Sequence, residues 1–251
     1  MRVAERVGFD GVWFFDTVGR GHMTPDPLIQ VSVAAAVTSR IEVGTCILQV
    51  PLRHPVELAH RILTAHLMTG GRLRLGVGAG STKADFDAVG QDYDARFRVL
   101  RTALPLMRRL WNGETVDGVS LSPPPAARGG PPVMIGSWAG SRWIPKAAKD
   151  YDGWIASAMF TGAPTLEAGL ARFRGEGGQR AIVTNIVADL AAPTSPLSDD
   201  GPYDLRCSPD EARLRLARLA DIGFDDAIVV VGDTSESTLR AVRDLWPVED
   251  G

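Results

Sequence analysis

Apolar residues along this chain gather into short runs, and between the runs they recur every three to four positions. Seven runs are apolar on both faces and predict buried strands over residues 11–16, 41–48, 73–80, 133–137, 153–158, 181–190 and 227–232. The intervening stretches predict helices over 1–8, 27–39, 55–68, 94–111, 141–151, 165–176, 209–222 and 235–246. In the first of these Val3, Ala4 and Val7 share one face, Arg2, Glu5 and Arg6 the other, and Gly8 stops the pattern. Pro55 suits a first helical position. Pro105 sits inside a helical pattern, where its ring clashes with the carbonyl of Arg101, and so predicts a kink or a break.

Strand after helix after strand is the signature of parallel βαβ units covered on both faces. Seven strands and eight helices, opening on a helix, predict an α/β chain of the TIM (β/α)8 barrel type that lacks its first strand. A doubly wound sheet would need a glycine fingerprint in its first strand-to-helix turn, and Asp16-Thr17-Val18-Gly19 does not supply one. A barrel without its first strand exposes two sheet edges, which implies either a start codon placed too late or a covering segment. Residues 1–251 read as a single domain with two interruptions. Residues 112–132 are a Gly- and Pro-rich insertion whose Pro123-Pro124-Pro125 is short of donors for a central strand. Residues 191–207, rich in Pro, Ser, Asp and Gly, read as a lid-like or disordered loop.

Composition narrows the function. With 251 residues, 45% hydrophobic and 23% charged, the chain can bury a sizeable core. A net charge of -3 without Lys/Arg runs argues against nucleic acid or a membrane surface as partner and for a small-molecule substrate. No apolar run reaches the roughly 18 residues that span a bilayer. The start, Met1-Arg2-Val3-Ala4-Glu5-Arg6, is not a signal peptide. Cys46 and Cys207 are far apart and lack metal-ligand company, so a cytoplasmic protein without a metal is expected.

The candidate chemistry starts at 70–81, where an apolar run ends in Gly76-Val77-Gly78-Ala79-Gly80-Ser81. Alternate glycines at a strand's end let a ligand approach the backbone, or let the strand pack closely on its neighbours. The spacing is not that of a dinucleotide fold, and Ser81-Thr82-Lys83-Ala84-Asp85 does not read as an immediate helix. In a barrel the strands' C-terminal ends carry the site. Asp16, Cys46 with Ile47, Gly78 to Ser81 and the loop Gly136-Ser137-Trp138-Ala139-Gly140-Ser141-Arg142 all fall there. Small residues, two hydroxyls and Arg142 leading into a helix make either an anion site or an ordinary capped loop.

Several stretches taken in order resemble the bacterial luciferase-like family of flavin and deazaflavin oxidoreductases. They are Gly8-Phe9-Asp10-Gly11-Val12-Trp13-Phe14-Phe15-Asp16, Thr38-Ser39-Arg40-Ile41-Glu42-Val43-Gly44-Thr45, Arg53-His54-Pro55-Val56-Glu57-Leu58-Ala59, residues 70–80, and Ala147-Ala148-Lys149-Asp150-Tyr151-Asp152-Gly153-Trp154. The likeness covers residues 1 to about 160 and fades in the last third. It implies a TIM-type barrel and reduced FMN or F420 at the strands' ends. The cofactor would react with oxygen or exchange hydride with a small organic substrate. The resemblance also implies a flavin reductase as partner and a homodimer. It places a non-prolyl cis peptide at Cys46-Ile47 beneath the ring. Gly78, Gly80 and Ser81 would complete the floor, and Gly136, Ser137, Gly140, Ser141 and Arg142 would hold the phosphate. Trp138 would stack on the ring or plug the rim.

Asp16 is a candidate polar partner for the ring or substrate, or a strand-end cap. Where relatives carry a His after this aspartate the chain has Thr17, and His22 lies five residues on as the substitute candidate. Two other functions stay open: a non-catalytic flavin-binding or partner subunit, and an unrelated barrel lyase or isomerase with a phosphate substrate, which would need a lysine or paired carboxylates on the strand ends, and no such lysine is found. FMN against F420 is also left open by these residues.

Overall fold

The computed structural model describes residues 1–246; residues 247–251 of the expected domain lie outside the described residues. Packing divides the chain into two compact units, Met1–Arg2 with Asp10–Val133, and Val3–Phe9 with Met134–Gly251. Helix α1 (Arg2–Val7) falls almost entirely in the second unit.

In the first unit β1 (Gly11–Phe14), β2 (Glu42–Gln49) and β3 (Leu73–Gly78) pair in that order, all parallel. Helices α2 (Pro27–Val37) and α3 (Pro55–Met68) connect them. Helix α2 starts where the sequence dictates: Asp26 accepts from the Leu28 and Ile29 amides at 2.8 and 3.2 Å, and Pro27 needs no donor. Leu58 and Ile62, one turn apart on α3, are fully buried, each contributing roughly 2 kcal/mol. Gly44 is the register partner of Trp13, and a Cβ there would sit 2.3 Å from the indole.

Two helices follow β3: α4 (Lys83–Val89) and α5 (Arg96–Trp111). Helix α4 corrects the expectation that Ser81-Thr82-Lys83-Ala84-Asp85 does not lead at once into a helix, since it begins at Lys83. Its Asp85 is a fully buried carboxylate beside fully buried Phe86, so the polar start hides a helix packed on the core. Helix α5 runs unbroken past Pro105, because Leu100, Ala103, Leu104, Met107, Leu110 and Trp111 bury one face and outweigh the lost hydrogen bond. The insertion 112–132 carries an antiparallel bridge between Val116 and Val119 and a 3-10 turn at Pro125–Ala127.

In the second unit β4 (Val133–Ser137), β5 (Gly153–Ser157) and β6 (Arg180–Asp189) are parallel neighbours. Both β7 (Leu205–Arg206) and β8 (Asp226–Val231) pair with β6. Helices α6 (Ile144–Asp150), α7 (Ala163–Gly175), α8 (Pro209–Ile222) and α9 (Glu236–Arg243) alternate with them. Fully buried Trp154 lies against Phe173 and Phe224, with ring centroids 5.7 and 6.0 Å away. Helix α1 is held by an Arg6–Glu236 ion pair and by Arg243 donating to the Gly8 carbonyl at 2.7 Å. Segment 191–207 contains β7 and is tied to α8. Buried Arg215 donates to the carbonyls of Ser195 and Asp204 at 2.6 and 3.1 Å, and the Tyr203 hydroxyl donates to the Arg215 carbonyl at 2.7 Å.

All seven expected strands are present, and β7 is additional. Among the described residues no strand precedes β1. Strands β1 and β8, each within its own unit, are half-exposed along most of their length, unlike the buried β3. Two strands carry an extra residue. In β2, Thr45 pairs with Leu75 and Leu48 with Val77, so Cys46 and Ile47 together oppose Gly76. In β6, Val183 pairs with Ala227 and Ile186 with Val229, so Thr184 and Asn185 together oppose Ile228. Such bulges re-aim side chains and occur beside functional sites.

Candidate functional site

In the first unit the C-terminal ends of the strands are organised by charge pairs. Asp16, just past β1, is buried and grips Arg53 with both oxygens, at 2.5 Å to Nη1 and 2.9 Å to Nη2, while accepting from the Gln49 amide at 2.9 Å. Burial alone would lower the Arg53 pKa, but the bond to Asp16 outweighs it and raises the value. Arg61 anchors Asp26 at 2.6 Å.

Gln49, the last residue of β2, is the hub of this unit. Its Nε2 donates to the Asp16 carbonyl at 2.7 Å and to Asp85 Oδ2 at 3.0 Å. Arg20 clamps the same Asp85 with Nη2 at 2.6 Å and Nε at 3.1 Å, and the Val18 amide donates to Oδ1 at 3.0 Å. Burial raises the Asp85 pKa, yet the bonds from Arg20, Gln49 and Val18 prevail and hold it below the ordinary 3.8. Gln49 Oε1 is buried without a partner. It abuts Gly80, where a Cβ would lie 2.2 Å from it and where φ is +80°. Gly80 is thus needed for packing and for its backbone angle together.

Thr17 donates to Thr24 Oγ1 at 2.6 Å. His22 is exposed, its Nδ1 donating to the Arg20 carbonyl at 3.1 Å. Gly78 pairs with Gln49, and Ser81 is exposed, its carbonyl accepting from the Tyr93 hydroxyl at 3.0 Å. The Cys46-Ile47 peptide bond is cis, and these two residues are half-exposed between the buried Thr45 and Leu48. This is the bond that the resemblance singled out.

In the second unit the loop after β4 makes its own turn. The Ser141 amide donates to the Trp138 carbonyl at 2.9 Å, Ser141 Oγ accepts from the Trp143 amide at 3.1 Å, and Arg172 reaches the Ser141 carbonyl at 3.3 Å. Ser137 accepts from the Trp154 indole N–H at 3.0 Å. Gly136 is half-exposed, and Arg142 is exposed. A Cβ at Gly140 would meet no atom within 4 Å, so the space beside that backbone is open. Trp138 and Phe160, 43% and 71% exposed, form a tilted pair with centroids 5.9 Å apart. Helix α6 begins only at Ile144 and is short, so an anion here would rest on Arg142 and the loop amides more than on a helix dipole.

Sequence reasoning missed Gln49, Arg53, Asp85 and Arg20, which hold the first cluster, and Asn185, which donates to Ser157 Oγ at 2.9 Å in the second. Only the basic-His-Pro stretch at Arg53 carried a signal. The two buried carboxylates are occupied by arginines, so the arrangement supplies rigidity rather than a free base. Of the residues expected at the site, Cys46 and Ile47 form a half-exposed apolar pair on β2 in the first unit, and the second unit presents the exposed Trp138 and an open loop carrying the exposed Arg142. Among the described residues no group of His, Cys, Asp and Glu could hold a metal ion, and no helix is long and apolar enough to cross a membrane.

The family profile described as luciferase-like monooxygenase matches residues 1–191. F420-dependent glucose-6-phosphate dehydrogenase of Amycolatopsis mediterranei is 32% identical over 122 residues, 45% of this chain and 37% of that protein. The chain spans half or less of the length of the curated relatives it matches first. Among solved structures, an F420-dependent secondary alcohol dehydrogenase in complex with an F420-acetone adduct aligns with a TM-score of 0.76 at 17% identity, over 96% of this chain and 90% of that one. The oxygenating constituent of 3,6-diketocamphane monooxygenase from Pseudomonas putida, in complex with FMN, aligns at 0.74 and 16% identity, over 96% and 89%. The α/β fold class is therefore that of the TIM-barrel luciferase-like enzymes. With three quarters of its length matched by the profile, the chain belongs to the luciferase-like monooxygenase family.

Proposed function

We propose that this chain is a cytoplasmic oxidoreductase of the monooxygenase or dehydrogenase kind, using reduced FMN or F420 on a small organic substrate. The observation that carries the reading is the half-exposed Cys46-Ile47 pair on the β2 bulge, set between the buried stretches 43–45 and 48–49. The cofactor supplies hydride or oxygen chemistry when bound. The chain's own part is placement. Cys46, Ile47 and Gly78 offer an apolar surface to a ring, with Gly80 and Ser81 following at the strand's end. Asp16, Arg53 and Gln49 fix the loops around that surface. In the second unit Gly136, Ser137, Gly140, Ser141 and Arg142 are the candidates for holding a phosphate, and Trp138 is the candidate for stacking on an aromatic body. Thr17 and His22 are the remaining candidates for moving a proton. A homodimer served by a flavin reductase completes the reading.

The test is a binding titration of the purified protein with FMN, reduced FMN and F420. Binding of one of them below about 100 μM, roughly 5.5 kcal/mol, supports the proposal; binding of none defeats it. A non-catalytic flavin-binding subunit is the second reading. It is favoured by the engagement of Asp16 and Asp85 with arginines and of the Thr17 hydroxyl with Thr24. Reduced-cofactor turnover separates the two.

A further inference from the structure

The bulge of β6 gathers three uncharged polar side chains on one face of the second unit. Thr184 is the register partner of Ser157, and parallel partners point the same way. Strict alternation would send Asn185 to the opposite face. The extra residue and a left-handed φ of +63° at Asn185 bring its amide to Ser157 Oγ instead, at 2.9 Å. Asparagine is among the few side chains that take this backbone region readily.

The hydrogen-bonding capacity left over is specific. Ser157 Oγ accepts from Asn185 Nδ2 and from the Met159 amide at 3.3 Å, so its own hydrogen is free to donate. Asn185 is half-exposed, and its Oδ1 accepts from no described residue. Thr184 is only 4% exposed, and its hydroxyl has no partner at all. A buried hydroxyl without a partner is costly to leave so, and a ligand group that bonds it is favoured accordingly. An exposed aromatic pair follows the same strand ends in sequence. Phe160 stands three residues beyond Ser157, against Trp138, which follows the β4 residue paired with Ala156.

We propose that Ser157, Thr184 and Asn185 form the subsite for the polar end of the substrate, and that this end is an uncharged group able both to donate and to accept, such as a carboxamide, on an apolar or aromatic body. The inference rests on the oxidoreductase reading only in calling the ligand a substrate. Two free acceptor or donor positions and an orphan hydroxyl, without a charged side chain among them, reject a carboxylate and an ammonium alike, because neither charge would be paired.

The test uses the whole 15N-labelled protein without added cofactor, titrated with benzamide, benzoate, benzamidine and toluene while the Trp138 indole and Asn185 side-chain amide signals are followed. Benzamide is expected to shift both signals and to bind at least about fivefold more tightly than the other three. Asn185→Gly tolerates the left-handed φ and so keeps the strand, and it should weaken benzamide about fivefold. Asn185→Asp should turn the preference towards benzamidine. Thr184→Val removes the orphan hydroxyl. It should leave the thermal midpoint equal or higher and still weaken benzamide, a pairing that a merely structural threonine would not show. Equal binding of benzoate or toluene, unchanged benzamide affinity in Asn185→Gly and Thr184→Val, or no shift at Trp138 and Asn185 up to the solubility of benzamide overturns the inference. Failure of FMN and F420 to bind while benzamide is selected would remove the cofactor reading and leave the subsite standing; the converse result would do the opposite.

Discussion

Gln49 joins two buried aspartates that sequence spacing keeps far apart: its side-chain nitrogen donates to the Asp16 backbone carbonyl and the Asp85 carboxylate, and its backbone N–H to the Asp16 carboxylate. Gly80 is fitted to its other end. Gly80→Ala is expected to cost about 2–3 kcal/mol in urea unfolding, from the positive φ and the 2.2 Å approach to Gln49 Oε1. Gly140→Ala, whose Cβ meets nothing, should change stability by less than about 0.5 kcal/mol. In the Gln49→Ala background the Gly80→Ala penalty should shrink by more than about 0.5 kcal/mol, which a double-mutant cycle reads directly. Asp16→Asn leaves the mostly buried Arg53 guanidinium with only the more distant Asp26, at 3.8 Å, as countercharge and should cost about 2–3 kcal/mol. Asp16 itself was visible as an acid closing an apolar run, and Arg53 as part of a loop motif. Their pairing was not, because they stand 37 positions apart and periodicity reports only faces, not partners.

At the scale of elements, strands were legible because each is a both-face apolar run, and helices because their caps and prolines mark them. Helix α4 escaped because a carboxylate at Asp85 reads as solvated when it is in fact buried on Arg20. That burial has a pH signature. The folded Asp85 holds its proton less tightly than the ordinary 3.8, so the unfolded chain is protonated first as pH falls. Its stabilisation is complete above that value and is lost as pH drops through the lower folded one. His66 on α3 behaves likewise from a higher start. Burial first, and Arg74 second, push it below 6.5, so its contribution is present above 6.5 and lost as the solution is acidified. Urea midpoints measured from neutral pH downwards should therefore decline in two stages. His66→Gln should remove the upper stage, and Asp85→Asn should shrink the lower one, to which Asp26 also contributes through its bonds from Arg61 and two backbone amides, at a cost in neutral-pH stability.

For the molecule as a whole, the alternation of elements conveyed the fold class, and alignment with solved enzymes over 96% of the chain agrees with it. The division into two compact units was not read from the sequence: the Gly- and Pro-rich stretch 112–132 ends at that boundary, but the strand–helix alternation resumes unchanged beyond it and made it look like an insertion in one domain. A cofactor that binds only the folded chain should raise its thermal midpoint by about 5–10 °C at a hundredfold excess over its Kd, since that excess adds roughly 2.7 kcal/mol. Scanning calorimetry with FMN and F420 in parallel would name the resident one, and Arg142→Ala should need about tenfold more of it for the same rise. The bulges on β2 and β6 carry one more consequence, for tolerance to deletion. Beyond each bulge the pairing has already slipped by one, so taking out Ile47 or Asn185 would leave every later residue opposite its present partner and facing its present side. Loss of a codon at either place would yield a regular strand in a protein that still folds, whereas the same loss at Leu75 or Ile155 would turn a strand end inside out.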